Sequence, residues 1–226
     1  MHVGFILDGN RRWAKQRGLA SNQGHQEGAK TLLKIVNACK KYKDIKLISV
    51  YILSSDNFKR RTPQEVSNLI DLITVTFQKN LKSLKEIKNR INFVGNLWEL
   101  PKNVLEIIDK VVLETKDYQE YQLNICVNYG GQEEIVRAVN RFLSKTKDKQ
   151  GQQQISKQLL ENNLDTSTPL DLVIRTGGCK RFSNFLVWQS IYAEYFFLET
   201  LWPDFTPEEL DECLKIYQSQ KRNFGK

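Results

Sequence analysis

The chain has 226 residues, 40% of them hydrophobic and 27% charged, with a formal net charge of +8 at pH 7. That balance is ordinary for a globular protein and excludes a disordered or membrane-spanning class, while the length allows a sizeable core in one large domain or two small ones. The positive excess predicts attraction to phosphates, whether nucleic acid, anionic lipid or small diphosphates, without choosing among them.

Cys39, Cys126, Cys179 and Cys213 are scattered with no CxxC spacing, and read as reduced thiols. The first apolar run is too short for a signal peptide core, and no apolar stretch approaches the roughly 20 residues that span a bilayer. A cytoplasmic protein, at most touching a membrane from one side, is expected.

Val3, Phe5, Ile6 and Leu7 form an apolar run of strand length that stops at Asp8, Gly9 and Asn10, with Arg11 and Arg12 next, just before a helical stretch. Such a junction suits phosphate oxygens received by backbone amides and guanidinium groups, with Asp8 holding a hard divalent cation against them. Taken alone, the same residues are an ordinary strand, turn and surface helix. A polar loop follows Trp13 through Asn22, and Gly24-His25 opens a helical pattern with Ala29, Leu32, Leu33, Val36 and Cys39 on one face.

Ile45 to Leu53 is a second strand, ending in Ser54-Ser55-Asp56-Asn57 and followed by Phe58, Lys59, Arg60 and Arg61. Thr62, Pro63 and Glu65 supply the cap, first turn and capping box of a helix that runs to about Lys88. Its stripe of Val66, Leu69, Ile70, Ile73, Phe77, Leu81 and Leu84 is widened by Leu72 and Val75. Either the helix is central to the core, or its second side lines an apolar cavity.

Ile91 to Val94 reads as a third strand ending at Gly95-Asn96, and Pro101 to Thr115 as a helix. Tyr121 to Val127 is a fourth strand, ending in Asn128-Tyr129-Gly130-Gly131 and leading into a helix from Gln132 to Ser144. Lys145 to Gln154, rich in Lys and Gln, is expected to be a mobile loop. Leu172 to Ile174 is a fifth strand ending in Arg175-Thr176-Gly177-Gly178, after which the chain turns aromatic from Phe182 to Trp202, and a capped helix from Pro207 to about Gln220 follows.

This alternation predicts an α/β fold with a mostly parallel central sheet flanked by helices. The polar clusters that end the strands then share one edge, where open α/β sheets bind ligands. Cations follow three of those clusters: Arg11 and Arg12; Lys59, Arg60 and Arg61; Lys180 and Arg181 after Arg175. Such a rim suits two diphosphates better than one. It suits RNA poorly, because the aromatic residues lie in apolar runs and are not interleaved with the basic ones.

The segments Asp8-Gly9-Asn10-Arg11-Arg12-Trp13-Ala14, Gly24-His25, Ser54-Ser55-Asp56-Asn57-Phe58 and Asn128-Tyr129-Gly130-Gly131 resemble motifs of the cis-prenyltransferases. So do Arg175-Thr176-Gly177-Gly178 with Arg181-Phe182-Ser183-Asn184-Phe185, and Tyr192-Ala193-Glu194 with Trp202-Pro203-Asp204-Phe205. Bacterial undecaprenyl diphosphate synthases look most similar. The resemblance covers essentially the whole chain and implies a single domain over residues 1–226.

It also implies an activity: Mg²⁺-dependent condensation of isopentenyl diphosphate onto an allylic diphosphate such as farnesyl diphosphate, each addition creating a cis double bond. The implied product is undecaprenyl diphosphate, the carrier-lipid precursor for cell-wall glycans. The implied assembly is a homodimer with no nucleic-acid partner, in peripheral contact with a membrane for product release. An apolar tunnel between the long helix and the sheet would take the growing chain.

Carried over residue by residue, Asp8 resembles the carboxylate that holds Mg²⁺ on the departing diphosphate, and Glu194 a second carboxylate near the metal. Gly9, Asn10, Arg11, Arg12, Trp13 and His25 resemble the allylic cradle, with Ser54, Ser55, Phe58 and Arg60 on its far side. Asn57 matches a residue near the reacting carbons. Arg175, Arg181 and Ser183 resemble the grip on isopentenyl diphosphate. Blander readings make Asp8 a turn residue and His25 a helix-end polar group. A buried, unpaired Glu194 or Arg175 would be costly, however, and each calls for a partner of opposite charge.

Five departures stand out. Ser21 occupies a position where the family usually has Arg, for which Arg17 is the expected substitute. Phe58 replaces a usual Trp, and one extra residue separates Arg60 from Glu65. Cys179 replaces the family's Glu after Gly178, and a thiol lacks a carboxylate's charge and hydrogen bonding. The C-terminal Arg222-Asn223-Phe224-Gly225 matches only in part. Cys179 and Ser21 suggest an alternative to the active enzyme, a catalytically silent subunit of the same fold that supports an active partner. The trans-type synthases are excluded by the lack of a DDxxD motif.

Overall fold

Strand β1 (His2–Ile6) is buried at every position and forms the middle of the sheet. It pairs on one side with β2 (Leu47–Ser54) and on the other with β5 (Leu172–Arg175), Phe5 lying opposite Val50 and Ile174. With β3 (Asn89–Val94), β4 (Tyr121–Tyr129) and β6 (Glu194–Phe197), the six-stranded sheet has the order β3-β4-β2-β1-β5-β6. All five pairings are parallel, so every strand ends on the same rim. The computed structural model describes residues 1–86, 88–146 and 154–220. The loop expected at 145–154 and the segment 222–225 fall largely or wholly outside them.

Alternate residues of β1 face opposite ways, as the period of a strand requires. Val3 and Phe5 join Ile48, Val50, Ile125 and Ile174 in the larger core cluster, whereas Ile6 joins Tyr51, Tyr129, Val173 and Phe185 in the smaller. Phe5 also packs on Trp202 and Phe205, at centroid distances of 6.2 and 6.5 Å. Burying side chains of this size contributes about 1.5–3 kcal/mol each.

The larger cluster lies under α2 (Ser21–Cys39), α4 (Pro63–Glu86), α5 (Lys102–Thr115) and α8 (Pro207–Ser219). The predicted capping box of α4 is present: Glu65 N–H donates to Thr62 Oγ1 and Thr62 N–H to Glu65 Oε2, both at 3.3 Å. Val66, Leu69, Ile70 and Ile73 are buried, while Phe77, Leu81 and Leu84 lie outside the described side chains. Among the described residues no helix is long and apolar enough to cross a membrane.

Four local expectations need correction. The polar stretch after Trp13 is not all loop, because α1 (Asn10–Gln16) occupies its start, and α2 begins at Ser21, where Gln23 Oε1 accepts from Ala20 N–H. The two helices touch closely: a Cβ on Gly24 would lie 2.1 Å from Asn10 O. Short helix α3 (Ser55–Arg60) occupies the stretch read as a polar strand end, and α7 (Lys157–Glu161) lies in a stretch to which the sequence reading assigns no element. The aromatic segment contains β6, an edge strand whose Glu-Tyr-Phe-Phe sequence has no alternation to mark it. Helix α6 (Gly131–Thr146) follows β4 directly.

Candidate active site

Asp8 sits two residues past the end of β1, and Arg175 ends the neighbouring β5. Arg175 Nη2 donates to Asp8 Oδ2 at 2.9 Å, and Arg12 Nη2 donates to Asp8 Oδ1 at 3.2 Å. Arg175 is only 4% exposed. Its Nη1 donates to Arg181 O at 2.6 Å and to Ser183 Oγ at 2.7 Å, while Nε is buried without a partner. A buried donor left unmet costs about 1–3 kcal/mol, so this guanidinium is set to receive one more acceptor. The backbone turn is pinned as well, since Asp8 O accepts from Trp202 N–H and Thr176 Oγ1.

A cavity of about 480 Å³ opens at this rim. Asp8, Asn10, His25, Arg175, Arg181 and Ser183 line its polar end together with Ser54, Asp56, Asn57, Arg60 and Arg61. Ile52, Leu69, Leu72 and Ile73 continue it as an apolar shaft between α4 and the sheet. Leu72, which widens the stripe of α4 beyond one face, borders this space. The shaft explains why.

Ser54 Oγ caps α3, accepting from Asn57 N–H at 3.0 Å, which holds Asn57 at the cavity wall. His25 borders this cavity and a second one of about 360 Å³ that also touches Arg11, Arg61 and Glu65. Burial, with the positive charges of Arg61 and Arg11, lowers His25 to about 4, against the opposing pull of Glu65. It is therefore neutral near pH 7. Burial and the Arg11 charge also lower Arg61. Arg61 was not among the expected site residues; the run Lys59-Arg60-Arg61 was its signal.

Several expected residues are placed elsewhere. Trp13 Nε1 donates to Asp204 Oδ1 at 2.6 Å, and Arg17 stacks 4.3 Å over the Trp13 ring while donating to both Asp204 oxygens. Arg17 thus fastens α1 to the Trp202–Asp204 turn and is not brought to the cavity at Ser21. Gly9, at φ +116°, supports the turn beneath Leu201. Arg12 bridges Asp8 and Gly177 O at the rim, and Arg11 pairs with Glu65 at 3.4 Å toward the second cavity. Ser55 is buried on Glu133, and Phe58 packs on the core.

Glu194 is the largest displacement from expectation. It starts β6 opposite Leu172, whereas Arg175 is opposite Phe197, so Glu194 lies at the other end of the strand from the rim. Three residues of strand separate these levels by roughly 10 Å, and Asp8 lies farther still. Within one chain the two carboxylates do not meet.

A sequence model described as "Putative undecaprenyl diphosphate synthase" matches residues 6–225. The chain belongs to this family, the cis-prenyltransferases. A curated relative from Treponema denticola, "Isoprenyl transferase", is 40% identical over 99% of this chain and 96% of its own. Another from Thermoplasma acidophilum, "Tritrans,polycis-undecaprenyl-diphosphate synthase (geranylgeranyl-diphosphate specific)", is 38% identical over 100% of this chain and 88% of its own. Lavandulyl diphosphate synthase from Lavandula x intermedia, solved in complex with dimethylallyl diphosphate, has a TM-score of 0.93 at 30% identity, covering 100% of this chain and 98% of that one.

For a cis-prenyltransferase the rim offers cations for diphosphate oxygens and an apolar shaft for a hydrocarbon. Among the described residues no group of three or more His, Cys, Asp and Glu side chains is arranged as a metal cage. Mg²⁺ does not need one, because it is usually held by one or two carboxylates plus substrate phosphate oxygens. Asp8, partly exposed at the cavity mouth, fits that mode.

Proposed function

We propose that this cis-prenyltransferase condenses isopentenyl diphosphate with farnesyl diphosphate, repeatedly and with Mg²⁺, to give undecaprenyl diphosphate for carrier-lipid synthesis. The observation that carries the reading is the single cavity in which Asp8, Arg175, Arg181 and Ser183 stand at the head of an apolar shaft walled by Leu69, Leu72 and Ile73. In each addition a carbon–carbon bond forms at C1 of the allylic primer as its C1–oxygen bond breaks, diphosphate leaves, and isopentenyl C2 loses a proton.

Arg175, Arg181 and Ser183 bind and orient the isopentenyl diphosphate, with the unmet Arg175 Nε adding a donor. Asn10, His25, Arg60 and Arg61 receive the allylic diphosphate, neutral His25 through a hydrogen bond and the two Arg through charge. Bound Mg²⁺ held by Asp8 would neutralise negative charge on the departing diphosphate. The walls of α4 and the sheet exclude water and accept the lengthening tail. Because Glu194 lies at the opposite end of the sheet from Asp8 within one chain, it can serve the metal only from a second copy, in keeping with the homodimer we propose. Release of a long lipid product favours peripheral contact with a membrane from the cytoplasmic side.

The silent-subunit alternative rests on Cys179 and Ser21. Against it stands a guanidinium held in a buried, three-partner arrangement that a silent subunit does not need. The test is incubation with labelled isopentenyl diphosphate, Mg²⁺ and either farnesyl or geranylgeranyl diphosphate, followed by analysis of product length and double-bond geometry. A cis-polyprenyl diphosphate of undecaprenyl length from the farnesyl primer supports the proposal. No labelled lipid from either primer returns the chain to the silent reading.

A further inference from the structure

The two sides of the cavity come from distant parts of the chain, α3 on the allylic side and the 181–184 turn on the isopentenyl side. One carboxylate joins them. Glu133, in the first turn of α6, accepts from Ser55 Oγ at 3.0 Å with one oxygen and from Asn184 Nδ2 at 3.1 Å with the other. All three side chains converge over Gly130: a Cβ there would lie 2.1 Å from Glu133 Oε2, 2.7 Å from Asn184 Nδ2 and 2.7 Å from Ser55 Oγ.

Both anchored residues lead directly to the site. Ser55 opens α3, which carries Asn57 and Arg60 to the cavity. Asn184 and Ser183 are both left-handed, at φ +62° and +50°, a conformation that non-glycine residues keep only where their surroundings hold it. Asn184 is held by the start of α6, accepting from Gln132 N–H at its side chain and Gly131 N–H at its carbonyl. The turn then delivers Ser183 Oγ to Arg175. Burial pushes the Glu133 carboxyl up, but hydrogen bonds from its own backbone, Ser55 and Asn184, with the Lys59 charge, bring it below the ordinary value. It is an ionised, doubly engaged strut.

We propose that Glu133 is a positioning residue that fixes the allylic and isopentenyl diphosphate subsites relative to each other through Ser55 and Asn184, with Gly130 leaving room for the junction. The assignment rests on the two-diphosphate reading above. On this view Asn128-Tyr129-Gly130-Gly131 and the two residues after it do not touch substrate; they keep in register the two sides that do.

Calorimetric binding of farnesyl diphosphate and isopentenyl diphosphate, measured separately with Mg²⁺, tests this apart from turnover. Glu133→Ala is expected to weaken both ligands by about tenfold or more, as misplacement of binding groups does. Ser55→Ala should weaken chiefly the allylic ligand and Asn184→Ala chiefly isopentenyl diphosphate, and neither should add its full effect in the Glu133→Ala background. Glu133→Gln, which keeps the volume but has one acceptor oxygen, should weaken one ligand more than the other and covers the case of a poorly folding alanine variant. Affinities for both ligands within about twofold of the unsubstituted protein, or a lowered melting temperature alone, would overturn the assignment. Wild-type protein that binds both ligands without forming lipid defeats the proposed function and leaves this assignment standing; wild-type protein that binds neither overturns both.

Discussion

Arg175 and Asp8 meet across the seam of β1 and β5, Nη2 to Oδ2 at 2.9 Å, because Ile6 and Arg175 are register partners and the chain turns immediately beyond Ile6. The parallel sheet thereby brings together charges 167 positions apart in sequence. Each partner limits the cost of desolvating the other, so removing one leaves a poorly compensated charge beside the cavity.

Arg175→Lys tests that arrangement. One ammonium cannot reproduce a guanidinium that engages Asp8, Ser183 Oγ and Arg181 O at once. Steady-state kinetics should show kcat/KM for isopentenyl diphosphate falling about 10²–10³-fold, the range seen when one preorganised donor is lost. Values near wild type would remove Arg175 from the site.

The shaft predicts control of product length. Leu72 lines it and is only partly buried, so Leu72→Trp should fill space there without disturbing the fully packed part of α4. Mass spectrometry of the products should show a shift to shorter chains by whole isoprene units, with the first condensation little changed. An unaltered distribution would place the growing tail elsewhere.

Buried His2 makes stability depend on pH. Burial lowers it to about 4, although the Thr168 and Pro169 carbonyls beside Nδ1 oppose the shift; Ser49 Oγ occupies Nε2. Between the ordinary value of 6.5 and about 4 the unfolded chain binds the additional proton, so stability rises with pH across that window and falls as the solution is acidified. Urea unfolding at pH 7 and pH 4.5 should differ by on the order of 2–3 kcal/mol from this residue. His2→Gln should remove that share of the difference; an equal acid sensitivity in the variant would contradict it.

Cys179 lies in the loop between Arg175 and Arg181, where the family resemblance leads one to expect a carboxylate. Cys179→Glu is expected to lower KM for isopentenyl diphosphate and raise turnover. Kinetics unchanged by the substitution would show that the thiol is no handicap.

Most of the fold was legible because buried parallel strands are marked by short apolar runs and their ends by turn residues, as at Val3–Asn10 and Ile45–Asn57. β6 was not, since an edge strand of Glu-Tyr-Phe-Phe within an aromatic stretch lacks both alternation and punctuation. The cationic rim was legible from strand ends alone. The positions of Arg17 and Glu194 were not: one depends on Asp204, far along the chain, and the other on which end of a strand it occupies. Glu133 likewise shows its role only when Ser55 and Asn184 are brought to it.

The central claim is that two diphosphates occupy one rim above an apolar shaft. A crystal structure with Mg²⁺, isopentenyl diphosphate and a non-cleavable thio-analogue of farnesyl diphosphate tests it most directly. The account predicts one diphosphate on Arg175, Arg181 and Ser183, the other beside Asp8, Asn10 and His25, and the prenyl tail between α4 and the sheet against Leu69 and Ile73. A tail lying outside that space, or a diphosphate bound away from Arg175, would contradict it.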